Sequence, residues 1–485
     1  MNELDLSKQI NKAIKWSTIT EILSKIVTPI TNMVLARIIT PEAFGVVAMI
    51  TMIISFAEMI ADAGFQKYII QRTFKDKKET YENMEVAFWT NFIFSIVFLG
   101  LIIIFREQIA NFVGNPNMGN VIAMACIQLP LLSLSSIPMA LYKKNLEFKV
   151  LFLVRSVSIF IPLLITVPLA FLGLSYWAII IGSILVQLSN SIILIIKSTW
   201  KPRFFFDIKI LKKMFSFSIW SLFESISIWL TIWIDTLLIS SVLDTYYLGL
   251  YKTSLNMVNS LMSIVTASIT TVLFSALSQL QNEDSAFKLT FYKAQKMIAY
   301  IIIPLGVGLF LYSELATKIM LGSQWVEASK VIGVWSFTSA LTIVYSNLNS
   351  EVYRSKGNPK LSFIQQIIHL CFLVPTCLVS LKFGFWPLVY SRAFIRIQAI
   401  LLGFYFMRKF MGFSTLSILK NTVFPLFFSI GMAICAISLK LLSGATWWSF
   451  LSILICLMVY LSFMFVVARN DFYYFKNFIF KKGKI

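Results

Sequence analysis

Apolar residues run through this chain in blocks of about twenty, the length that carries an α-helix across the hydrocarbon core of a bilayer. The blocks predict fourteen helices, at 15–39, 43–66, 85–105, 120–141, 151–172, 176–196, 215–241, 247–272, 294–312, 329–351, 361–381, 386–406, 421–442 and 447–468. A helix facing lipid all round would carry no polar stripe, and four of these blocks do carry one. In the first, Ser17, Glu21, Lys25, Thr28 and Asn32 recur at spacings of four and three and so share one face; Pro29 interrupts the same helix and allows a bend. The second carries Thr51, Ser55, Glu58 and Asp62. The seventh carries Ser221, Glu224, Ile228 with Ser227 beside it, Thr231 and Asp235, and the eighth Lys252, Asn256, Asn259, Ser263, Thr266 and Thr270.

These stripes belong to a repeat. Trp16, a helix with an internal acid, and LARIITPEAFGVVAMIT (35–51) are followed about two hundred residues later by Trp220, another such helix, and LLISSVLDTYYLGLYKTSL (237–255). Gly45 and Gly249 fall at equivalent points, and ALYKKNLEF (140–148) is echoed by EVYRSKGNPKL (351–361). An internal repeat in a chain of membrane spans is a signature of transporters, where two similar bundles move around a shared site. The expected organisation is a six-helix bundle over 1–200, a second over 201–410, and a further helix pair with a basic tail over 411–485. The repeat is imperfect: where the first copy has Glu58 and Asp62, the second has Met262 and Thr266.

Composition agrees with the pattern. Of 485 residues, 58% are hydrophobic and 13% charged, against about 25% charged in a soluble domain. The net charge of +20 does not indicate nucleic acid, because the cations stand between apolar blocks and form no continuous basic face. About three quarters of the 42 Lys and Arg fall in the N-terminus and alternate links, among them Lys67, Arg72, Lys143, Lys144, Lys201, Arg203, Arg354 and Lys356. Positively charged loops stay cytoplasmic, so both termini are expected there. The segment KSTWKPRFFFD (197–207) mixes cations with aromatics, a composition suited to the headgroup level. No cleavable leader is expected, since the polar start runs straight into the first full span.

Chemistry is sparse. Cys126, Cys371, Cys377, Cys435 and Cys456 lie in apolar blocks without metal-ligand spacing, and His369 is the single histidine, so no metal centre, cofactor or catalytic triad is expected. The charges inside spans are more telling. An ionised side chain at mid-bilayer costs about 2.5–3.5 kcal/mol on insertion scales. Glu21, Lys25, Glu58, Asp62, Glu224 and Asp235 therefore need a wet cavity or mutual pairing, and helices 1, 2, 7 and 8 are the candidates to line such a cavity. A single Ser or Thr more often joins helices or bonds its own backbone; four aligned stripes with charges favour the cavity. Arg392 and Arg396, one turn apart on the twelfth helix and near Gln365, Gln366 and His369 on the eleventh, have two open readings: a secondary anion groove, or interfacial residues of a helix whose ends lie elsewhere.

LARIITPEAFGVVAMI followed by ADAGFQKYIIQR resembles the opening of bacterial polysaccharide flippases, the O-antigen and exopolysaccharide repeat-unit exporters of the multidrug/oligosaccharidyl-lipid/polysaccharide superfamily, and most of all the colanic- and teichuronic-acid exporter branch. The layout of fourteen helices, two six-helix halves and a final pair is similar as well. The resemblance implies an all-α, V-shaped transporter of the inner membrane that moves undecaprenyl-pyrophosphate-linked oligosaccharide to the outer leaflet by alternating access, with or without ion coupling. It implies cavity cations at Lys25 and Lys252 with Arg37 as a weaker third, and coupling acids among Glu21, Glu58, Asp62, Glu224 and Asp235. Thr28, Asn32, Ser55, Asn256, Asn259 and Ser263 would offer the hydrogen bonds that sugars need. The implied partners are the lipid-linked glycan, the bilayer and polysaccharide polymerase or export machinery, for a monomer without nucleic acid.

Two rival readings stay in view. A cation-coupled drug antiporter shares the layout, but its lumen should be dominated by acids and aromatics, whereas Lys25 and Lys252 oppose a cationic drug. A membrane-embedded glycosyltransferase would need a sizeable soluble loop, and the outward links here are short.

Overall fold

The computed structural model describes the backbone of residues 3–473 and the side chains of 15–473, except those at 217, 220, 268 and 271. The Trp220 side chain, the N-terminal Lys8 and Lys12 and the basic tail after residue 473 thus lie outside the described residues. The described chain is helical throughout. We number the long helices α1 (Glu3–Ile38), α2 (Pro41–Asp62), α3 (Lys77–Ile104), α4 (Gly119–Lys144), α5 (Phe148–Phe171), α6 (Tyr176–Lys197), α7 (Ile208–Val242), α8 (Thr245–Gln279), α9 (Asp284–Leu311), α10 (Ala328–Ser355), α11 (Pro359–Leu381), α12 (Phe385–Met411), α13 (Val423–Leu442) and α14 (Thr446–Val467). Among the described residues thirteen are long and apolar enough to cross a membrane, or fourteen when α8 is taken as one span across the 41° bend between Thr245–Ala267 and Val272–Gln279. The chain is a multi-pass membrane protein with the expected all-helical fold.

Local chemistry sets the ends. Pro41 and Pro359 open α2 and α11, where a missing backbone N–H costs nothing. Asp76 caps α3 by accepting from the Glu79 N–H at 2.7 Å, while the Glu79 carboxylate accepts from the Lys75 N–H at 2.7 Å. Asp207 caps α7 by accepting from the Lys209 N–H at 2.7 Å. After α2 the chain reverses through Ala63 and Gly64, with φ of 43° and 83°. Gly64 suits this left-handed turn, and a Cβ there would also press on Ser221 of α7 at 3.2 Å.

Four helices start at least seven residues earlier than the apolar pattern predicts: α1 at Glu3, α3 at Lys77, α7 at Ile208 and α9 at Asp284. The link at 276–296 is almost entirely helix, because α9 begins at Asp284. Phe287 and Phe291, one turn apart, are buried against Phe413, and Lys356 holds Asp284 at 2.6 Å. A buried aromatic in each turn extends the helix beyond the apolar block. Likewise α7 begins at its Asp207 cap rather than near 215. The 197–207 segment is anchored more than its composition suggests: Trp200 is buried edge-on to Phe88 of α3, Trp89 donates to the Arg203 carbonyl at 2.8 Å, and Phe204 is exposed.

The chain forms two compact units, Met1–Lys252 and Thr253–Ile485. In the first, α1 packs on α5, α6 on α4 and α5, α3 on α4, and α7 on α2. The duplicated glycines meet here. A Cβ on Gly45 would overlap the Thr245 carbonyl oxygen, and one on Gly249 would overlap that of Pro41. Pro41 and Thr245 are themselves equivalent in the repeat, so the crossing of α2 with the start of α8 is reciprocal, each copy offering the other the same backbone contact. In the second unit α9 packs on α10 and α13, α10 on α12, α11 on α12, and α13 on α14. A π-helical turn, Ile343–Asn347, interrupts α10, and another, Pro162–Thr166, interrupts α5. Such turns often mark functional positions.

Candidate substrate cavity

The eighth-helix stripe finds its counterpart inside the second unit. Asn259, Ser263, Thr266 and Thr270 of α8, Ser339, Thr342 and Asn347 of α10, and Arg396 of α12 line one cavity of about 280 Å³ together with Met262, Ile343 and Leu348. The cavity floor includes part of the π-helical turn. Ser263, Thr266 and Thr270 donate their hydroxyl hydrogens to backbone carbonyls of α8, at 2.8, 3.2 and 3.0 Å, and so turn oxygen lone pairs outward. Positive charge enters through Arg396, whose guanidinium donates to the Ser339 hydroxyl at 2.5 Å and lies 3.4 Å above the Trp335 ring. Arg392 is buried, with its guanidinium 5.5 Å from the same ring. The lining holds an arginine and amides and no carboxylate. An arginine with amides is chemistry that can accept an anion, and the hydroxyl oxygens can accept hydrogen bonds from hydroxyls.

The stripe of α8 therefore faces the arginine of α12, two features that the sequence presents separately. Asn256 is exposed and is not among the lining residues. Trp335, Ser339, Thr342 and Asn347 escaped the sequence reading. Their signal was present, since Trp335, Ser339, Thr342 and Ser346 recur at four, three and four on α10, but that block carries no internal acid or lysine to draw notice. On α11 and α12, His369 Nδ1 lies 2.9 Å from Gln398 Oε1, and Gln365 accepts from the Tyr353 hydroxyl at 3.2 Å.

The other candidates belong to the first unit. Lys252 is 8% exposed, its ammonium 4.2 Å from the Trp233 ring centroid and donating to the Ile232 carbonyl at 3.3 Å. Asp235 is 1% exposed and accepts from the Tyr251 hydroxyl at 2.7 Å and from the Thr236 N–H at 2.7 Å. Glu224 is half-exposed and pairs with Lys67 at 3.4 Å. Ser136 donates to Asp62 at 3.3 Å, and Ser55 accepts from the Trp229 indole N–H at 3.0 Å. Lys25 is half-buried, and its neighbour Ser24 accepts from Arg155 at 3.2 Å. Glu21, Thr28, Asn32, Arg37 and Glu58 are exposed. The charges of α7 and early α8 thus have identified partners: Lys67 for Glu224, the Tyr251 hydroxyl for Asp235 and the Ile232 carbonyl for Lys252.

A second cavity of the Thr253–Ile485 unit, about 680 Å³, runs between α9, α13 and α14 and is almost wholly apolar, with Pro304, Leu305, Leu309, Met432, Leu457 and Met464 in its wall. Tyr312 of its wall donates its hydroxyl hydrogen to Ser452 at 2.9 Å, and Tyr460 donates to the Tyr300 carbonyl at 2.9 Å.

The chain is similar to known proteins in sequence and in fold. The "Uncharacterized membrane protein in cps region" of Klebsiella pneumoniae is 24% identical over 84% of each chain. The teichuronic acid biosynthesis protein TuaB of Bacillus subtilis is 23% identical over 74% of each. The lipopolysaccharide biosynthesis protein WzxC of Escherichia coli is 22% identical, covering 78% of this chain and 76% of the other. Among solved structures, the lipid II flippase MurJ in its inward closed conformation superposes with a TM-score of 0.76 at 18% identity, over 94% of this chain and 99% of that one. An inward-facing multidrug transporter of the MATE family follows at 0.62 and 12% identity, over 84% and 98%. These structures share the fold expected from the sequence. The family model described as "Polysaccharide biosynthesis protein" matches residues 34–330, from the end of α1 into α10, and the chain belongs to that family.

Proposed function

We propose that this protein is a flippase that carries an undecaprenyl-pyrophosphate-linked oligosaccharide from the cytoplasmic to the outer leaflet of the bacterial inner membrane. The observation that carries this reading is the polar cavity of α8, α10 and α12, with Arg396 and seven hydrogen-bonding side chains in its lining and no acid among them. A diphosphate headgroup is far too costly to pass bare through hydrocarbon; a guanidinium with amide N–H groups replaces its hydration, while the outward hydroxyl oxygens accept from sugar hydroxyls. The apolar cavity between α9, α13 and α14 suits a hydrocarbon chain, so both halves of an amphipathic substrate find matching chemistry in one unit. The names of the curated relatives, which concern polysaccharide synthesis and its transport, support the same reading.

In this proposal Lys25, Lys252 and Arg37 add positive charge along the route, and Glu21, Glu58, Asp62, Glu224 and Asp235 are the acids available for ion coupling. Thr28, Asn32, Ser55, Asn256, Asn259 and Ser263 bond sugar hydroxyls. The two six-helix repeats alternate access, with both termini in the cytoplasm, the protein acts as a monomer, and it works beside a polysaccharide polymerase or other export machinery. A drug antiporter fits less well, because an arginine-bearing lining repels a cationic drug. The test is lipid analysis of a deletion strain. Flippase function requires lipid-linked repeat units to accumulate and to remain inaccessible from the outer face; unchanged lipid pools with normal surface polysaccharide refute it.

A further inference from the structure

One buried indole touches two of the donor-bearing side chains of the cavity. Trp335 of α10 is 3% exposed, so it does not meet a ligand itself. Its ring face carries the Arg396 guanidinium at 3.4 Å, and its Nε1–H donates to Asn259 Oδ1 at 3.4 Å. Both partners line the polar cavity.

Each contact has a directional consequence. An indole N–H only donates, so the Asn259 atom facing it must be the oxygen, which leaves the amide NH₂ on the other branch as the group turned away from Trp335. The ring face attracts the guanidinium and fixes its plane, and Ser339, one turn along α10 from Trp335, takes one of its N–H groups at 2.5 Å. Arg392, one turn from Arg396, sits 5.5 Å from the same ring. Like charges one helical turn apart repel, and a shared π face offsets that repulsion by attracting both cations.

We infer that Trp335 is the positioning residue of the cavity: it orients the Arg396 guanidinium and the Asn259 amide NH₂ as a donor pair for one anionic group, a phosphate or a carboxylate, of the translocated substrate. The inference rests on the anion-binding reading of this cavity given above. It assigns the indole two separable duties, the ring face for Arg396 and the N–H for Asn259.

The test is binding of inorganic pyrophosphate and of glucuronate to the full-length protein in lipid nanodiscs, measured calorimetrically, with unfolding midpoints recorded for every variant. Pyrophosphate binding by wild type with little glucuronate binding assigns the site to the diphosphate linker; the reverse assigns it to an acidic sugar. Trp335→Phe keeps a ring face and loses the N–H, and should weaken the preferred anion roughly two- to tenfold, the worth of one neutral hydrogen bond. In an Asn259→Ala background the same change should add less than about twofold, since its target is gone. Trp335→Ala removes both contacts and should weaken binding roughly sixty- to three-hundredfold, the effect of the N–H multiplied by the roughly thirtyfold of a desolvated cation–π contact, and in an Arg396→Ala background should add no more than Trp335→Phe adds to wild type. Trp335→Phe guards against misfolding of the alanine variant, because it must reproduce the N–H effect at an unchanged unfolding midpoint. Strict additivity of these pairs, or wild-type affinity in both Trp335 variants, overturns the positioning role alone. Wild-type affinity in Arg396→Ala, or no anion binding by wild type, overturns the cavity reading together with it.

Discussion

The reciprocal glycine crossing yields a quantitative expectation for Gly45→Ala and Gly249→Ala. A methyl group on Gly45 would overlap the Thr245 carbonyl oxygen and lie 2.8 Å from its carbon and 3.0 Å from the Gly249 nitrogen; one on Gly249 would overlap the Pro41 oxygen and lie 2.7 Å from its carbon. The obstacle in each case is backbone, which cannot rotate aside as a side chain does, so α2 and the start of α8 must separate. Overpacking of this kind costs about 1–3 kcal/mol, and rigid obstacles argue for the upper half of that range. Alanine's better helix propensity returns about 0.8–1.0 kcal/mol, leaving a net loss of about 1–2 kcal/mol for each variant. The crossing is a single contact, however. Once one methyl has pushed the helices apart, the second finds room already made, so the double variant should lose clearly less than the sum of the singles. Unfolding midpoints of the purified proteins in one detergent, arranged as a double-mutant cycle, measure this, and surface polysaccharide in complemented cells reports the functional effect. Unchanged midpoints in both single variants, or losses that simply add, would refute the close-contact argument.

Other expectations follow from the ion pairs and buried donors. Asp235→Ala should destabilise the protein by about 1–3 kcal/mol, because it removes the acceptor of the buried Tyr251 hydroxyl; Asp235→Asn keeps an acceptor and should lose less, and equal losses would argue against the hydrogen bond as the cause. Glu224→Gln should change stability by less than about 1 kcal/mol, since its partner Lys67 is equally half-exposed; a large loss, measured by the unfolding midpoint, would mean that the pair is shielded in the membrane. Lys25→Ala and Lys252→Ala should reduce export while the protein remains inserted at wild-type level, and normal surface polysaccharide in both would remove these lysines from the route.

How much was legible in advance differs between the fold and the site. The spans were legible because the bilayer imposes a length and an apolar composition that each helix satisfies by itself. The family resemblance was legible because it lies in a contiguous motif, PEAFG with the turn at Ala63–Gly64 behind it. The α8 stripe was legible too, since helical periodicity alone gathers Asn259, Ser263, Thr266 and Thr270 on one face. The early start of α9 was not, because Phe287 and Phe291 are held by Phe413, more than a hundred residues away.

The sequence by itself determined that this is a membrane chain of about fourteen spans with an internal repeat and polar stripes in its first, second, seventh and eighth helices. Those properties follow from composition and period, which are local. Only the tertiary structure decided which stripe meets which partner: that Arg396 lies across the cavity from α8, that Trp335 stands behind it, and that Gly45 and Gly249 face one another. Periodicity tells which residues share a face of one helix. The choice of neighbour for that face depends on packing between segments far apart in the chain, and no local pattern encodes it.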